Sequence, residues 1–342
     1  MKKRIALFLI CLLLAGTAGA EGFVYTTTPV TDSQMTNWMY QAFYDSGTLS
    51  VPIPGLAEGI TPQGIAYLAE ENCLLFAGYR ADKGNSALIA VSLETGEVVK
   101  EAFLQYADGS KYSGHAGGVC VTEKNIYLSN AHKLFRISLE RFRGLSASGE
   151  CRFEEEIPVP VNSSYCAYAD GVLWVGEFQY GTEYKTNKSH KVKTADGTQK
   201  AWTCGYVLTG DAENELAPDA LTEGDAVPDY ILSMTERIQG ITVKDGKFYL
   251  SQSYGRRASS VIYRYENVLA GEASAEAEVS GRTVPVWILD STVQEATLLA
   301  PPMSECLCTV GDQVYVLFES GAQNYLAGAD NPMGRVFCLT DF

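Results

Sequence analysis

One hairpin pattern occurs five times along this 342-residue chain, and it limits the fold more than any other feature. Its clearest copy spans residues 237–253. An apolar strand around Ile241 and Val243 is followed by a Lys244-Asp245-Gly246 turn and a second strand through Phe248, Tyr249 and Leu250. Asp-Gly between two apolar runs is a strong hairpin signal because both residues tolerate positive φ. Related inner strands are read at 63–67, 117–121, 164–168 and 305–309. Their second strands fall at 74–78, 126–130, 172–177 and 314–318. In the last four copies an aromatic residue (Tyr127, Trp174, Tyr249, Tyr315) keeps a constant offset from the inner strand, and the first copy has two extra residues in its turn.

Third strands are expected at 87–93, 134–139, 205–208, 261–265 and 336–339, and outer strands at 97–104, 152–159, 229–234 and 295–299. A fifth outer strand is missing after the last copy, while an orphan of that type stands at 48–54. The expected fold class is therefore all-β. It is a β-propeller of five four-stranded blades, closed into a ring by an N-terminal strand that completes the last blade. Ring closure removes exposed sheet edges. Six blades are the alternative, the sixth lying within 164–239 or 239–305. The polar stretch 182–200 and the Ala/Glu-rich stretch 271–281 in those spans read as loops, being too poor in apolar residues to fill a blade.

Residues 1–20 read as a secretory signal peptide: Lys2, Lys3 and Arg4, an apolar core from 5 to 14, and Ala18-Gly19-Ala20 as the cleavage site. The expected location is secreted, extracellular or periplasmic, with cleavage near Ala20. That leader takes three of the 26 basic residues and none of the 41 acidic ones, moving the formal net charge from −15 to −18. So acidic a chain argues against nucleic acid or an anionic membrane as partner. No second apolar stretch approaches membrane length, and a monomer is expected. Eight of the nine cysteines remain after cleavage, mostly within apolar strands. Buried thiols, one or more disulfides, or a metal site are all compatible with that spacing.

Residues 21–47 form an N-terminal extension before a single propeller domain at 48–342. Residues 23–28 look β-like. Met35, Trp38, Met39, Ala42 and Phe43 then fall at i, i+3, i+4, i+7 and i+8, one apolar face of a short helix stopped by Asp45-Ser46-Gly47. The acid-rich run 211–215 reads as a solvated loop.

In a four-stranded meander, the start of the inner strand and the turn after the second strand share one face. That face is the candidate binding surface, since loops on a rigid scaffold carry function. Gln63, Ser164, Gln239 and Glu305 hold one repeat position there, with Gly117 in the second copy. Tyr79, Arg80, Asn130, Tyr165, Arg237, Gln252, Tyr254, Arg256 and Glu319 join them as candidate ligand contacts. His115, Glu177 and Glu305 are the acid–base candidates, because paired carboxylates about 5 to 9 Å apart can cleave glycosidic bonds and histidine titrates near neutrality. The basic insertion 182–201, with five lysines and His190, is either an exposed disordered loop or a lid for an anionic ligand.

The runs Gln63-Gly64-Ile65-Ala66, Gln239-Gly240-Ile241-Thr242 and His115-Ala116-Gly117-Gly118-Val119 resemble inner-strand motifs of the NHL, SMP-30/gluconolactonase and streptogramin-lyase propellers, across about residues 48–342. The resemblance implies the architecture. Those families include metal-dependent lactonases, a lyase and many binding modules. Their acidic and asparagine metal ligands have no counterparts here, so no metal ligand and no cofactor is assigned. Three function classes follow. The first is non-catalytic binding of a small or carbohydrate-like ligand. The second is hydrolysis or lysis of a sugar, lactone or related molecule, and the third is binding of a protein partner.

Overall fold

A computed structural model describes residues 22–342; the expected signal peptide lies outside the described residues. The chain is a five-bladed β-propeller. Blade 1 comprises Ile60–Leu68, Cys73–Arg80, Ala87–Ser92 and Val98–Gln105. Blade 2 comprises Gly118–Val121, Asn125–Asn130, Lys133–Ser138 and Glu155–Pro158. Blade 3 runs through Ser163–Ala169, Val172–Glu177, Ala201–Val207 and Tyr230–Met234, and blade 4 through Ile238–Lys244, Lys247–Gln252, Ser260–Tyr265 and Gln294–Ala300. Blade 5 takes Ser304–Val310, Gln313–Phe318 and Arg335–Leu339, and its outer strand is Gly47–Pro52 from the other end of the chain. Gly47 pairs with Leu339, Thr48 with Cys338 and Leu49 with Phe337 in antiparallel register, so the N-terminal strand joins the last blade as expected. No helix among the described residues is long and apolar enough to cross a membrane.

The repeated aromatic has a packing reason. Across the first hairpin of each blade, Tyr127 faces Cys120, Trp174 faces Ala167, Tyr249 faces Thr242 and Tyr315 faces Cys308. A small residue opposite a large one lets neighbouring blades interdigitate at native density. All eight cysteines of the described chain are buried thiols, and Cys120 and Cys308 serve as these small partners. The turns on the opposite face follow the sequence closely: Asp170-Gly171 and Asp245-Gly246 both have positive φ at each residue.

The inner strands approach so closely that three blades need glycine there. A Cβ on Gly64 would lie 2.5 Å from the Val119 nitrogen, one on Gly118 2.4 Å from the Cys166 nitrogen, and one on Gly240 2.6 Å from the Cys306 Cα. In each case the obstacle is the backbone of the next blade, which cannot move aside as a flexible side chain would.

Several segments depart from expectation. Residues 271–281 are not wholly loop. Ala275–Val279 and Arg282–Ile288 form a hairpin that extends blade 3 to six strands, Arg282–Ile288 pairing parallel with Tyr230–Met234. Alternating Ala and Glu hid this edge strand, which has Val279 as its one fully buried side chain. The outer strand expected at 152–159 is split. Ser148–Arg152 pairs in parallel with blade 1 and Glu155–Pro158 with blade 2, because Phe153 turns inward among Tyr106, Tyr112 and Phe135. Residues 23–28 are not a strand: the Glu101 carboxylate instead accepts from the Val24 and Tyr25 nitrogens at 2.9 and 3.0 Å.

The short helix is Gln41–Asp45, preceded by a 3₁₀ turn at Trp38–Tyr40, and of the face expected to be apolar it buries only Phe43. Tyr40, Phe43 and Tyr44 point inward, Phe43 stacking on Phe337 at 4.2 Å. Met35, Trp38, Met39 and Ala42 are exposed. Helical periodicity cannot select a face when the helix is barely one turn long. The run 211–215 is also not simply solvated. Glu215 is buried and accepts from the Thr122 hydroxyl, the Lys124 nitrogen and the Asn125 amide.

Gly240→Ala should therefore cost about 1–3 kcal/mol of stability from overpacking, measured by urea denaturation. Gly144→Ala, where the added Cβ meets nothing within 4 Å, should be neutral or stabilising by up to about 1 kcal/mol. Equal effects of the two substitutions would contradict the close-approach account.

Candidate functional site

At the inner-strand starts, pairing with the second strand skips one residue in four blades. The skipped positions are Gln63 between Pro62 and Gly64, Ser164 between Ser163 and Tyr165, Gln239 between Ile238 and Gly240, and the Glu305-Cys306 step between Ser304 and Leu307. Each is a β-bulge, which breaks alternation and re-aims a side chain. Here it turns Gln63, Ser164, Gln239 and Glu305 into a cavity of about 500 Å3 at the end of the axis. Blade 2 contributes Gly117, whose Cβ would sit 2.3 Å from the Ser164 carbonyl oxygen, so no side chain fits at that point of the ring.

Blade 5 gives the cavity its charge. Glu305 is only 2% exposed, and its carboxyl is hydrogen-bonded to that of Glu319 from the following connection. The Gln239 amide donates to Glu305 at 3.2 Å and the Gln63 amide to Glu319 at 2.9 Å. Burial pushes the Glu305 carboxyl well above the usual carboxylate range, and its neighbour Glu319 adds to the rise. Burial likewise pushes Glu319 up to about 7, against the lowering effect of its hydrogen bonds and of nearby Arg256. Two carboxyls in direct contact cannot easily both ionise, and a proton is retained between them.

The wall carries His115, whose ring is open to the cavity mouth and stacks on Tyr79 at 4.6 Å. Surrounding protein holds this imidazole below its ordinary value, with Lys83 adding to the effect. Tyr79 itself stands behind the wall and bonds the Tyr325 hydroxyl at 3.1 Å. Asn130, Tyr254, Arg256 and Glu319 also line the cavity. Tyr254 stacks on Tyr180 at 3.8 Å, and the Arg256 guanidinium lies 5.0 Å over the Tyr325 ring.

Other sequence candidates lie outside this space. Tyr165 is fully buried, its hydroxyl 2.7 Å from that of Thr203; one residue past the bulge, it faces the core. Glu177 is sealed: His190 Nδ1 stands 2.7 Å from its carboxylate and the Trp202 nitrogen donates to it at 3.0 Å. Gln252 spends its amide on the Glu236 carbonyl and the Tyr263 hydroxyl. Arg80 pairs with Asp82, its Nε donating at 2.9 Å. Arg237 has φ of 64° and gives its backbone N–H to the Gln179 carbonyl, with its side chain off the cavity wall.

The insertion 182–201 is ordered rather than disordered. His190 anchors it, stacking on Trp202 at 3.7 Å, and Asp196 takes two hydrogen bonds from Ser291. Lys200 pairs with Glu236 at 2.6 Å. The insertion's contribution to the cavity is Tyr184, which the sequence reading passed over along with Phe178, Met303 and Tyr325. All four sit in or beside connections on the face where inner strands begin, and that topology was the one signal that could have found them.

No family model matches the chain, and no curated protein does either. Among solved structures it is similar to the glutaminyl cyclase of Myxococcus xanthus, with 12% identity, 85% of this chain and 94% of that one covered, and a TM-score of 0.42. It is also similar to a GH43_1 enzyme from Xanthomonas citri in complex with xylose (12% identity, 87% and 92% covered, TM-score 0.45). A third is an exo-β-1,3-galactanase from Phanerochaete chrysosporium (10%, 86% and 62%, TM-score 0.46). These likenesses concern architecture alone.

The carboxyl pair makes a pH prediction. A carboxyl whose folded pKa exceeds its unfolded value stabilises the protein at low pH, and that contribution is lost as pH rises through the folded value. For Glu319 the window runs from the ordinary 4.5 to about 7, and Glu305 extends it upward. The wild-type denaturation midpoint should fall between pH 5 and pH 8 more steeply than that of Glu319→Gln, whose amide mimics the neutral acid. Parallel profiles would refute the shared-proton assignment.

Proposed function

We propose that this protein is exported and binds a small, carbohydrate-like ligand in the cavity where the inner strands begin, without chemical turnover. The observation that carries the reading is the convergence of four bulged polar residues, Gln63, Ser164, Gln239 and Glu305, on one concave space. Amide, hydroxyl and carboxyl groups of this kind match the hydroxyls of a sugar. Tyr254 and Tyr325 on the wall offer flat surfaces to the apolar face of a pyranose ring. A concave space of several hundred cubic ångströms with a few convergent polar groups is the usual form of a small-molecule site.

The carboxyls argue against turnover. Glycosidases hold their two acids about 5 to 9 Å apart, leaving room for the sugar oxygen or a water. Glu305 and Glu319 touch each other, and Glu177 is buried beneath His190. His115 is held in place by stacking on Tyr79, and it has no carboxylate hydrogen-bonded to it among the described residues to orient it as a base.

Calorimetric titration of the mature protein with a panel of mono- and disaccharides should give saturable binding to at least one. Gln239→Ala should weaken that binding about tenfold, the cost of one or two hydrogen bonds, while Arg237→Ala should leave it unchanged. Equal losses for both variants would move the site away from the cavity. Release of new reducing ends on prolonged incubation would overturn the non-catalytic part of the reading.

A further inference from the structure

The cavity floor has an unusual balance of hydrogen-bonding groups. Gln63 and Gln239 turn their NH2 groups to the carboxyls, and Gln63 gives a second hydrogen bond to the Pro62 carbonyl. Their own carbonyl oxygens accept from no protein donor among the described residues. The Glu305 and Glu319 oxygens already accept from the two glutamine NH2 groups, and their remaining lone pairs add further acceptors. So the floor is rich in acceptors and poor in donors.

Its charge is equally one-sided. Among the described residues no ion pair reaches Glu305 or Glu319, although Glu305 is almost wholly buried. The shared proton leaves the pair at most one negative charge, and a buried negative charge is ordinarily matched by a cation. Arg256 lines the same cavity and lowers the Glu319 carboxyl through space, but its guanidinium stays over the Tyr325 ring and forms no ion pair with either acid. The His115 imidazole, the other basic group on the wall, is held toward its neutral form. An acidic, acceptor-rich floor whose remaining negative charge has no ion-pair partner is complementary to a group that is cationic and donates several hydrogen bonds.

We infer that the ligand is an amino sugar, whose protonated primary amine sits against Glu305 and Glu319 and donates to the carbonyls of Gln63 and Gln239. This inference rests on the sugar-binding reading above and narrows it. A quaternary ammonium would satisfy the charge but none of the acceptors. A neutral hydroxyl would satisfy an acceptor but not the charge, and a carboxylated sugar would meet like charge.

The test uses the mature protein at pH 7.5 and five probes: glucosamine, 6-amino-6-deoxyglucose, N-acetylglucosamine, glucose and glucuronate. At least one amino sugar should bind about tenfold or more tighter than glucose and N-acetylglucosamine, with glucuronate weakest. Glu305→Gln/Glu319→Gln should remove that preference while retaining a native melting transition, and Glu319→Gln alone provides a second variant if the double one folds poorly. Neutral sugars binding as tightly as amino sugars would overturn the amine assignment and leave the sugar site standing. So would a preference that survives in the variants. Failure of every probe to bind would overturn both.

Discussion

The approach of neighbouring inner strands around the axis is the constraint on which the rest of this structure depends. Backbones meet so closely that Gly64, Gly118 and Gly240 have no space for a single carbon. Three of the five inner strands meet this approach with glycine. In blades 3 and 5 the same register is held by Tyr165 and Cys306, and the glycines of blades 2 and 4 pack directly on their backbones. In blades 1, 3, 4 and 5 the chain bulges next to this register, and a bulge re-aims the side chain it carries. The bulges deliver Gln63, Ser164, Gln239 and Glu305 to one cavity.

The ring is fivefold in backbone and asymmetric in chemistry. Blade 2 places Gly117 where the others place a polar side chain, leaving room beside His115. Blade 5 supplies both acids, one from the bulge and one from the connection after its second strand. Blades 1 and 4 answer with carboxamides that hold those acids in place. Blade 3 spends its own acid elsewhere, because Glu177 anchors the 182–201 insertion through His190 and the Trp202 backbone. Charge is therefore concentrated at blade 5, and Tyr184, Tyr254 and Tyr325 from the connections add aromatic surface to the wall.

Much of this was legible in the sequence because hairpins are local. Asp170-Gly171 and Asp245-Gly246 dictate their turns, and the large-opposite-small pairing repeats at fixed spacing. The position of Gln63 and Gln239 before their Gly-Ile pairs, with Ser164 and Glu305 as its equivalents, could be read from repeat alignment alone. Residues whose place depends on long connections could not. Tyr184 and Tyr325 reach the cavity through loops that have no repeat to align with. Tyr165 and Glu177 sit at positions the repeat assigns to the rim, yet the bulge turns Tyr165 into the core and a folded insertion covers Glu177. The edge hairpin at Ala275–Val279 and Arg282–Ile288 escaped notice for a related reason, since a strand with one buried face residue has little hydrophobic periodicity to detect.

A crystal structure of residues 22–342 soaked with an amino sugar tests the account most directly. The ligand should occupy the axial cavity, with its amine nitrogen within about 3 Å of a Glu305 or Glu319 oxygen and its ring against Tyr254 or Tyr325. A sugar bound elsewhere, or bound in the cavity with its amine turned toward Arg256 and away from the acids, would contradict it.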